Sequence, residues 1–416
     1  MYQAARGTSD ILPAEQPYWR YVEKVIGEIT RLFGYQRIDT PMFEETGLFR
    51  RSVGEYTDIV QKEMYTFEDL GGKSMTLRPE GTAPVCRAYL EHGMQNLPQP
   101  VKLYYLASIF RYERPQAGRL REHHQFGCEA IGEADPAIDA EIIDIAWQFY
   151  KILGLKNISL QLNSIGCKDC RPRYLAALKK HYHRHPGLCA DCQIRLEKNP
   201  LRLLDCKKPS CQPVADTAPN STDYLCADCA KHFESLQRYL DLIAIPFTLN
   251  HRLVRGFDYY TRTVFEIHPA KGGSQGAIGA GGRYDGLIEE LGGKPTPGIG
   301  FAAGIERIIL NLKKQGVSVD SPPGLQALIA FMGEKAREEA IKLAARLRRE
   351  GISAVTAAGA KSLKAQLRQA NALNVRYAII IGEEELKHQT VTLRDMSGAR
   401  QETLPLNTLA KRLNSP

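Results

Sequence analysis

The sequence predicts an α+β protein with a mixed body, a cysteine-rich insertion and a smaller C-terminal α/β unit. Eight of the ten cysteines fall between residues 167 and 229. Residues 315–324 are polar with two prolines and two glycines, a composition typical of a linker. Strand and helix patterns alternate beyond it. The predicted domains are 1–166 with 241–318 for the body, 167–240 for the insertion and 325–416 for the C-terminal unit.

Composition excludes several broad classes. The 416 residues are 43% hydrophobic and 25% charged, as in globular proteins and unlike disordered chains. No run approaches the roughly 18 apolar residues of a membrane-spanning helix. The first residues lack the apolar stretch of a secretory signal. We therefore expect a cytoplasmic protein without a membrane partner.

The net charge of +8 is unevenly distributed. Residues 325–416 contain 15 Lys/Arg against 9 Asp/Glu, a net of +6, and residues 167–240 contain 13 against 8, a net of +5. Basic regions suit a polyanion, because contacts with phosphates release counterions. The alternative is that small domains are often basic for solubility.

The clustered cysteines form four pairs with metal-ligand spacing. Three pairs have C-x2-C spacing and one has C-x4-C, and two such pairs can surround one tetrahedral zinc ion. A disulfide framework fits poorly in a chain without an export signal. Two zinc sites are one interpretation, and unliganded thiols are the other. The pairs are Cys167/Cys170, Cys189/Cys192, Cys206/Cys211 and Cys226/Cys229.

Hydrophobic periodicity predicts the main elements. Residues 17–33 predict a helix that Gly34 ends, and residues 35–41 predict a strand stopped by Pro41. The body continues with strands 101–112 and 120–131, helix 136–152, strands 157–163, 245–251 and 260–268, the glycine-rich run 272–286, helix 284–291, and Gly298–Gly304 leading into helix Ile305–Lys314. The last unit has strand 326–331, helix 335–350, strand 352–356, helix 361–373 and strands 376–381 and 389–394, which predict a mostly parallel sheet.

Two arginines stand where anions are commonly bound. Arg111 follows a predicted strand, and a guanidinium there can hold a phosphate or carboxylate through two hydrogen bonds. Arg307 lies in the first turn of a helix preceded by glycines, where the helix N-terminus also favours anions. The sequence contains neither a Walker P-loop nor a Rossmann glycine motif in strand–helix context. Each arginine alone is weak evidence, since most surface arginines are solvated.

The order of these segments carries more information than any one residue. Phe33–Pro41, Phe110–Gln116 and Gly298–Arg307 together resemble the three signature motifs of class II aminoacyl-tRNA synthetases. Four further runs are similar to the histidyl-tRNA synthetase family, and the resemblance extends from Arg6 to about Leu413. The four runs are Arg78–Thr82, Gln125–Glu129, Leu253–Thr261 and Gly279–Asp285.

The resemblance implies a class II catalytic domain, an antiparallel sheet with flanking helices, and a C-terminal anticodon-binding domain. It implies ligation of L-histidine to tRNA(His) through histidyl-adenylate. Arg111 is expected at the ATP α-phosphate, Arg307 at the adenine and γ-phosphate end, and Arg255 as a third catalytic cation. Glu113 is expected at the ATP, whose β- and γ-phosphates carry Mg²⁺ as part of the substrate.

The histidine site follows from the same resemblance. Glu80 and Gln125 are expected to bind the substrate ammonium, together with the Gly81–Thr82 segment. Glu129 and Tyr260 would pair with the two imidazole nitrogens, which would reject isosteres that lack them. Tyr259 lies beside them, and Arg111 and Arg255 are expected near the carboxylate.

The resemblance also implies partners. Residues 325–416 would bind the anticodon, residues 167–240 would contact the acceptor arm, and Arg114–Arg121 would meet the acceptor end. Homodimers would form through the first motif. Two alternatives remain: a regulatory synthetase paralogue without catalysis, and a zinc-ribbon nucleic-acid binder whose α/β body is structural.

Overall fold

The computed structural model describes residues 2–55, 57–116, 118–269, 276–321, 323–359, 361–398 and 400–414. The chain forms two compact units that divide between Val319 and Asp320. This boundary falls within the stretch predicted as a linker. The cysteine-rich residues 167–240 lie within the first unit. Among the described residues, no helix has the length and apolar character needed to cross a membrane.

The first unit contains eleven strands and ten α-helices among its described residues. The strands are β1 (Gln36–Arg37), β2 (Phe43–Glu45), β3 (Tyr65–Glu68), β4 (Ser74–Leu77), β5 (Val101–Phe110), β6 (Glu122–Ile131), β7 (Ser159–Ser164), β8 (Phe247–Leu249), β9 (Thr261–His268), β10 (Gly279–Arg283) and β11 (Gly298–Gly304). The helices are α1 (Gln16–Leu32), α2 (Thr46–Val53), α3 (Thr82–Glu91), α4 (Pro136–Ile152), α5 (Arg171–Tyr182), α6 (Ala190–Lys198), α7 (Gln212–Asp216), α8 (Ala227–Leu242), α9 (Leu287–Glu290) and α10 (Ile305–Lys314). Short helical turns cover Ile59–Glu63, Met94–Asn96, Pro200–Leu203 and Ser221–Tyr224.

An eight-stranded sheet organises this unit. Its strand order is β1-β5-β6-β11-β10-β9-β7-β8, and the six central strands pair antiparallel. Only the short outer strands β1 and β8 pair parallel to their neighbours within the described residues. A second sheet has the order β2-β4-β3. The predicted antiparallel sheet with flanking helices is confirmed.

Helices α1, α4 and α10 pack on the large sheet around one apolar core. Helix α4 begins where Asp135 caps the N–H of Ala137 and Pro136 occupies the first turn, a favourable start for a helix. Its bounds match the predicted helix 136–152, and those of α10 match the predicted Ile305–Lys314. Strong apolar periodicity and clear end signals explain this agreement.

A buried ion pair ties the sheet to α4. Arg283 and Asp139 are both fully buried, and Nε donates to Oδ1 at 2.7 Å. The same guanidinium donates to the carbonyl of Glu133, while Thr263 donates to the second Asp139 oxygen. The charges are thus saturated by hydrogen bonds, the condition under which a buried ion pair is tolerated.

Two glycine-rich stretches are strands rather than loops. Of the run 272–286, residues 272–275 lie outside the described residues, while Gly279–Arg283 forms β10. Gly298–Gly304, predicted only as a lead into a helix, forms β11. The two strands pair so closely that a Cβ atom at Gly281 would lie 2.2 Å from the carbonyl oxygen of Gly300. Close backbone packing therefore explains the glycines.

The cysteine-rich segment folds as helices α5 to α8 joined by turns. Its apolar residues share one core with residues of the strand–helix body, so the segment is packed on the body rather than extended from it. That shared core contains Cys192, Cys206 and Cys211 together with Tyr259 and Tyr260.

The second unit is an α/β fold with a mixed sheet. Its strands are β12 (Ala327–Phe331), β13 (Ala354–Thr356), β14 (Tyr377–Ile381), β15 (Thr390–Asp395) and β16 (Gln401–Pro405), in the order β13-β12-β14-β15-β16. Its helices are α11 (Glu334–Arg349), α12 (Leu363–Ala372), α13 (Glu383–His388) and α14 (Leu409–Leu413). Three strands are parallel, but β15 and β16 add antiparallel. The sheet is thus less parallel than predicted, because β15 pairs antiparallel with β14, and β16, absent from the prediction, pairs antiparallel with β15.

Candidate active site

One face of the large sheet forms the floor of a cavity of about 370 Å³. Side chains alternate across a strand, so Gln125 and Glu129 of β6 lie on the same face. Opposite them in β11 lie Gly304 and Gly300, with Ala302 between. Because these residues have no side chain beyond a methyl group, a ligand can approach the backbone of the sheet here.

Gly300 is required by the close approach of a side chain from β6. A Cβ atom at position 300 would lie 1.8 Å from Oε2 of Glu129 and 2.6 Å from the carbonyl oxygen of Cys128. Gly300 itself lines the cavity. The Glu129 carboxyl therefore reaches the floor at this position, although Glu129 is not among the lining residues.

Glu129 is a buried carboxyl held by two hydroxyl groups. Its side chain is 1% exposed. Thr82 donates to Oε1 at 2.8 Å, and Tyr284 donates to Oε2 at 2.7 Å. Burial raises the pKa of Glu129 to about 8, although both hydrogen bonds act to lower it. The carboxyl is thus mainly protonated at neutral pH without a ligand.

A second carboxyl forms one wall of the cavity. Glu80 precedes helix α3, and its oxygens accept the N–H groups of Thr82 at 2.7 Å and Ala83 at 2.8 Å. A helix N-terminus favours such a negative charge. Thr82 therefore joins Glu80 to Glu129, and the Glu80 carboxylate in the cavity wall suits a cationic ligand group such as an ammonium.

The cavity also contains Arg255, whose guanidinium carbon lies 5.9 Å from the ring centroid of Tyr260. Arg255 forms an ion pair with Glu266 of β9, whose second oxygen lies 3.0 Å from Nε2 of His268. Within the described part of the chain, no acceptor reaches the buried Nε of Arg255. Arg255 therefore lines the cavity with one buried N–H donor that has no protein partner.

Two further arginines line the cavity and are held by carbonyl groups. Arg111 follows the last residue of β5, and its Nε donates to Pro79 at 2.7 Å. Arg307, in the first turn of α10, donates to Gly118 at 2.8 Å and to Ala277 at 3.0 Å. Carbonyl groups orient a guanidinium without neutralising it, so both arginines favour phosphate or carboxylate ligands.

His123 lies between these cations. Burial, with the charges of Arg111 and Arg307, lowers its pKa to about 3. The ring is therefore neutral at physiological pH. Its position in the cavity wall next to two guanidinium groups suits a flat aromatic ligand beside phosphates.

Tyrosines complete the end of the cavity nearest Glu80. Tyr259 and Tyr260 are buried with ring centroids 4.7 Å apart. Tyr105 also lines the cavity, and among the described residues its buried hydroxyl has no hydrogen-bond partner. Its ring passes so close to Gly81 and Gly127 that a Cβ atom at either would lie 2.3 Å away. Several hydroxyl groups can therefore pair with ligand nitrogens here.

The eight clustered cysteines meet as two groups of four. All ten cysteines are described and each is a free thiol. Within each group the sulfur atoms lie within 4.8 Å of one another, with measured separations between 3.7 and 4.0 Å. A tetrahedral zinc with Zn–S bonds of about 2.3 Å requires sulfurs about 3.8 Å apart, so both groups fit zinc. The groups are Cys167, Cys170, Cys226 and Cys229, and Cys189, Cys192, Cys206 and Cys211.

Comparison with known proteins agrees with this geometry. A family model described as histidyl-tRNA synthetase matches residues 7–169 and 210–308, and one described as an anticodon binding domain matches residues 326–415. A histidine–tRNA ligase of Dehalococcoides mccartyi is 61% identical over 410 residues, which cover 98% of both proteins. One of Desulforamulus reducens is 50% identical over 97% of both. The chain belongs to the histidyl-tRNA synthetase family.

A solved structure of the histidyl-tRNA synthetase family extends the comparison to the fold. The apo enzyme of S. aureus superposes with a TM-score of 0.83 at 39% identity, and the match covers 100% of both chains. The predicted class II histidyl-tRNA synthetase, with the activity of a histidine–tRNA ligase, is confirmed.

The structure brings nearly all residues predicted for catalysis and for histidine or ATP binding into one cavity, whereas the eight predicted metal-ligand cysteines lie outside its lining. Only Glu129 lies beneath the lining rather than in it. The lining includes Glu80, Gly81, Thr82, Arg111, Glu113, Gln125, Arg255, Tyr259, Tyr260 and Arg307.

Sequence reasoning missed several residues of this site. Tyr105 and Glu266 alternate with apolar residues in strands and resemble ordinary strand positions. Tyr284 lies within the run Gly279–Asp285, for which the resemblance implies no role of this tyrosine. Lys207 carried no signal beyond its place between two cysteines. Only strand pairing and chain packing bring these four residues to the cavity.

We expect Gly300→Ala to lower the free energy of unfolding of the first unit by about 1–3 kcal/mol, because the new methyl group must displace the Glu129 carboxyl. Gly304→Ala is the matched control. Its Cβ would lie 4.0 Å from the nearest atoms, and we expect a change within about 0.5 kcal/mol. Urea unfolding followed by the fluorescence of Trp19 and Trp147 measures both. Equal changes in the two variants would contradict the steric argument.

Proposed function

We propose that the chain activates L-histidine with ATP and transfers it to tRNA(His), using the cavity above β6 and β11 for both substrates. The observation that carries this proposal is the set of fixed cations in one cavity that also holds a buried carboxyl group. Glu80 lies where the substrate ammonium would bind, and Arg111, Arg255 and Arg307 line the same cavity, where phosphates would bind. Attack of a carboxylate on a phosphate brings two anions together, so fixed cations are the required catalytic groups.

The ATP would occupy the part of the cavity next to Arg111 and Arg307. Arg111 would bind the α-phosphate, and Arg307 the adenine and γ-phosphate end. The neutral ring of His123 offers a stacking surface for the base. Glu113 also lines the cavity, and we assign it to ATP binding together with these two arginines. Mg²⁺ would enter bound to the β- and γ-phosphates as part of the substrate.

Histidine would bind in the part of the cavity between Arg255 and Glu80. Its ammonium would contact Glu80, Thr82 and Gln125. Its neutral imidazole has one donor and one acceptor nitrogen. Tyr260 would donate to the acceptor, and ionised Glu129 would accept from the N–H. Arg255, with a free donor, would neutralise the reacting carboxylate and α-phosphate.

The tRNA would contact regions outside the cavity. We assign anticodon binding to the second unit, whose residues 326–415 match an anticodon-binding family. The insertion 167–240 and the loop Arg114–Arg121 carry excess positive charge and would contact the acceptor arm.

We further propose a cytoplasmic homodimer formed through the first motif. Strand β1 of that motif lies at the edge of the large sheet. Next to it in sequence, Met42 and Phe43 are exposed, and Phe43 stacks edge-on against exposed Phe67 at 6.1 Å. An exposed apolar group beside a sheet edge suits burial by a second copy.

The two cysteine groups would hold structural zinc ions. Their thiol sets are complete tetrahedra, which leave no open position for catalysis. Zinc would fix helices α5, α6 and α8 of the insertion without taking part in the reaction.

Histidine-dependent ATP–pyrophosphate exchange tests the function. We expect exchange with histidine and none with the other nineteen amino acids. A folded chain without exchange would favour the regulatory alternative. Two observations oppose that alternative: the anticodon-domain match is present, and Arg111, Arg255 and Arg307 all line the cavity. The three arginines in the cavity also oppose the second alternative, a zinc-ribbon nucleic-acid binder whose α/β body has only a structural role.

The pH dependence of histidine binding tests the role of Glu129. Below about pH 8 the free carboxyl is mainly protonated, and binding in the ionised form must first remove that proton. Between pH 6.5 and 8 we expect the affinity for histidine to rise about tenfold more in the parent than in Glu129→Gln. Calorimetric titration measures the affinity for histidine of both proteins at each pH. The protonation of free histidine affects both proteins equally, so it cancels in the comparison. Parallel profiles would remove Glu129 from the imidazole site.

Metal analysis tests the zinc proposal. We expect about two zinc ions per chain purified under reducing conditions, since each cysteine group supplies four thiolates. Cys211→Ser should retain about one ion. Cys86→Ser, at a buried cysteine outside both groups, is the control and should retain two. A parent chain without zinc would contradict the proposal.

A further inference from the structure

The second cysteine group brings a lysine to the active-site cavity. Lys207 follows Cys206 directly and lines the cavity together with Arg255 and Glu266. The histidyl-tRNA synthetase model matches residues 7–169 and 210–308, so Lys207 lies in the part of the insertion that it does not match.

The loop that carries Lys207 is fixed to the catalytic segment. Arg252, three residues before Arg255, donates to the carbonyl of Leu204 at 3.3 Å. The same guanidinium donates to Gln212 at 3.0 Å, and Gln212 in turn donates to the carbonyl of Cys206. Hydrogen bonds on both sides of Lys207 thus hold its backbone beside the segment that leads to Arg255.

Lys207 also acts on the carboxylate that pairs with Arg255. Burial alone would raise the pKa of Glu266, but the hydrogen bond from His268 and the charge of Arg255 bring it below the ordinary value. The charge of Lys207 adds to this lowering. Lys207 therefore lies close enough to the Arg255–Glu266 ion pair for its charge to stabilise the Glu266 carboxylate.

A phosphate bound by Arg255 would compete with Glu266 for the same guanidinium. Glu266 would then lose part of its counter-charge, and phosphate and carboxylate would repel each other. An additional cation next to Glu266 would replace part of its lost counter-charge and would weaken the repulsion between phosphate and carboxylate. The exposed Lys207 ammonium has the freedom to approach the incoming anion.

We propose that Lys207 is an additional ATP-binding residue, which the insertion supplies to neutralise the phosphates together with Arg255. This inference rests on the proposed use of ATP. It gives the cysteine-rich insertion a part in adenylation, before any tRNA is bound.

Lys207→Ala tests the proposal, with Lys208→Ala as the matched control. Lys208 is the adjacent exposed lysine and is not among the lining residues. In exchange assays without tRNA we expect Lys207→Ala to raise the KM for ATP about five- to tenfold, the effect of losing one charge-assisted contact. The KM for histidine should change less than twofold, Lys207→Arg should restore most of the ATP affinity, and Lys208→Ala should resemble the parent.

Three results would overturn the proposal. Equal KM values for ATP in the two alanine variants would show that Lys207 acts only through general surface charge. A change confined to the KM for tRNA would make it an acceptor-arm contact. An equal loss of ATP and histidine affinity would indicate a folding defect in the segment. If the parent itself shows no exchange, the proposed function fails, and this inference fails with it.

Discussion

The carboxyl group of Glu129 is buried beneath the cavity, where Thr82 and Tyr284 donate hydrogen bonds to it. A buried carboxyl group without hydrogen-bond partners is costly, so the chain must supply these donors and the space for the group. Position 300 must lack a side chain, Tyr284 must follow β10, and Thr82 must begin α3. One buried group thereby fixes two strands and a helix relative to each other.

The cavity above this group combines linked carboxyl groups with fixed cations, and the combination suits the proposed reaction. Glu80 and Glu129 are linked through Thr82, and the arginines are held by carbonyl groups or by Glu266. A guanidinium oriented in advance needs little reorganisation when negative charge develops, which is the advantage of a preorganised site. The large sheet supplies the floor and Glu129, the segment before α3 supplies Glu80, and a loop and a helix start supply Arg111 and Arg307.

Much of the fold could be predicted from local signals. Helix α4 has a capping aspartate, a proline in its first turn and a clear apolar face, so its bounds followed from the sequence. The burial of Glu129 and its contact with Tyr284 could not be predicted, because they depend on pairing between strands more than 100 residues apart. The glycines of β10 and β11 were ambiguous for the same reason: close packing favours glycine as strongly as a loop does.

A structure of the chain with histidine and a non-hydrolysable ATP analogue tests the central claim directly. We predict the imidazole between Tyr260 and Glu129, the ammonium at Glu80, and the α-phosphate between Arg111 and Arg255. An imidazole bound away from Glu129, with the Thr82 and Tyr284 hydrogen bonds unchanged, would contradict it. Glu129 would then be a structural group beneath the site.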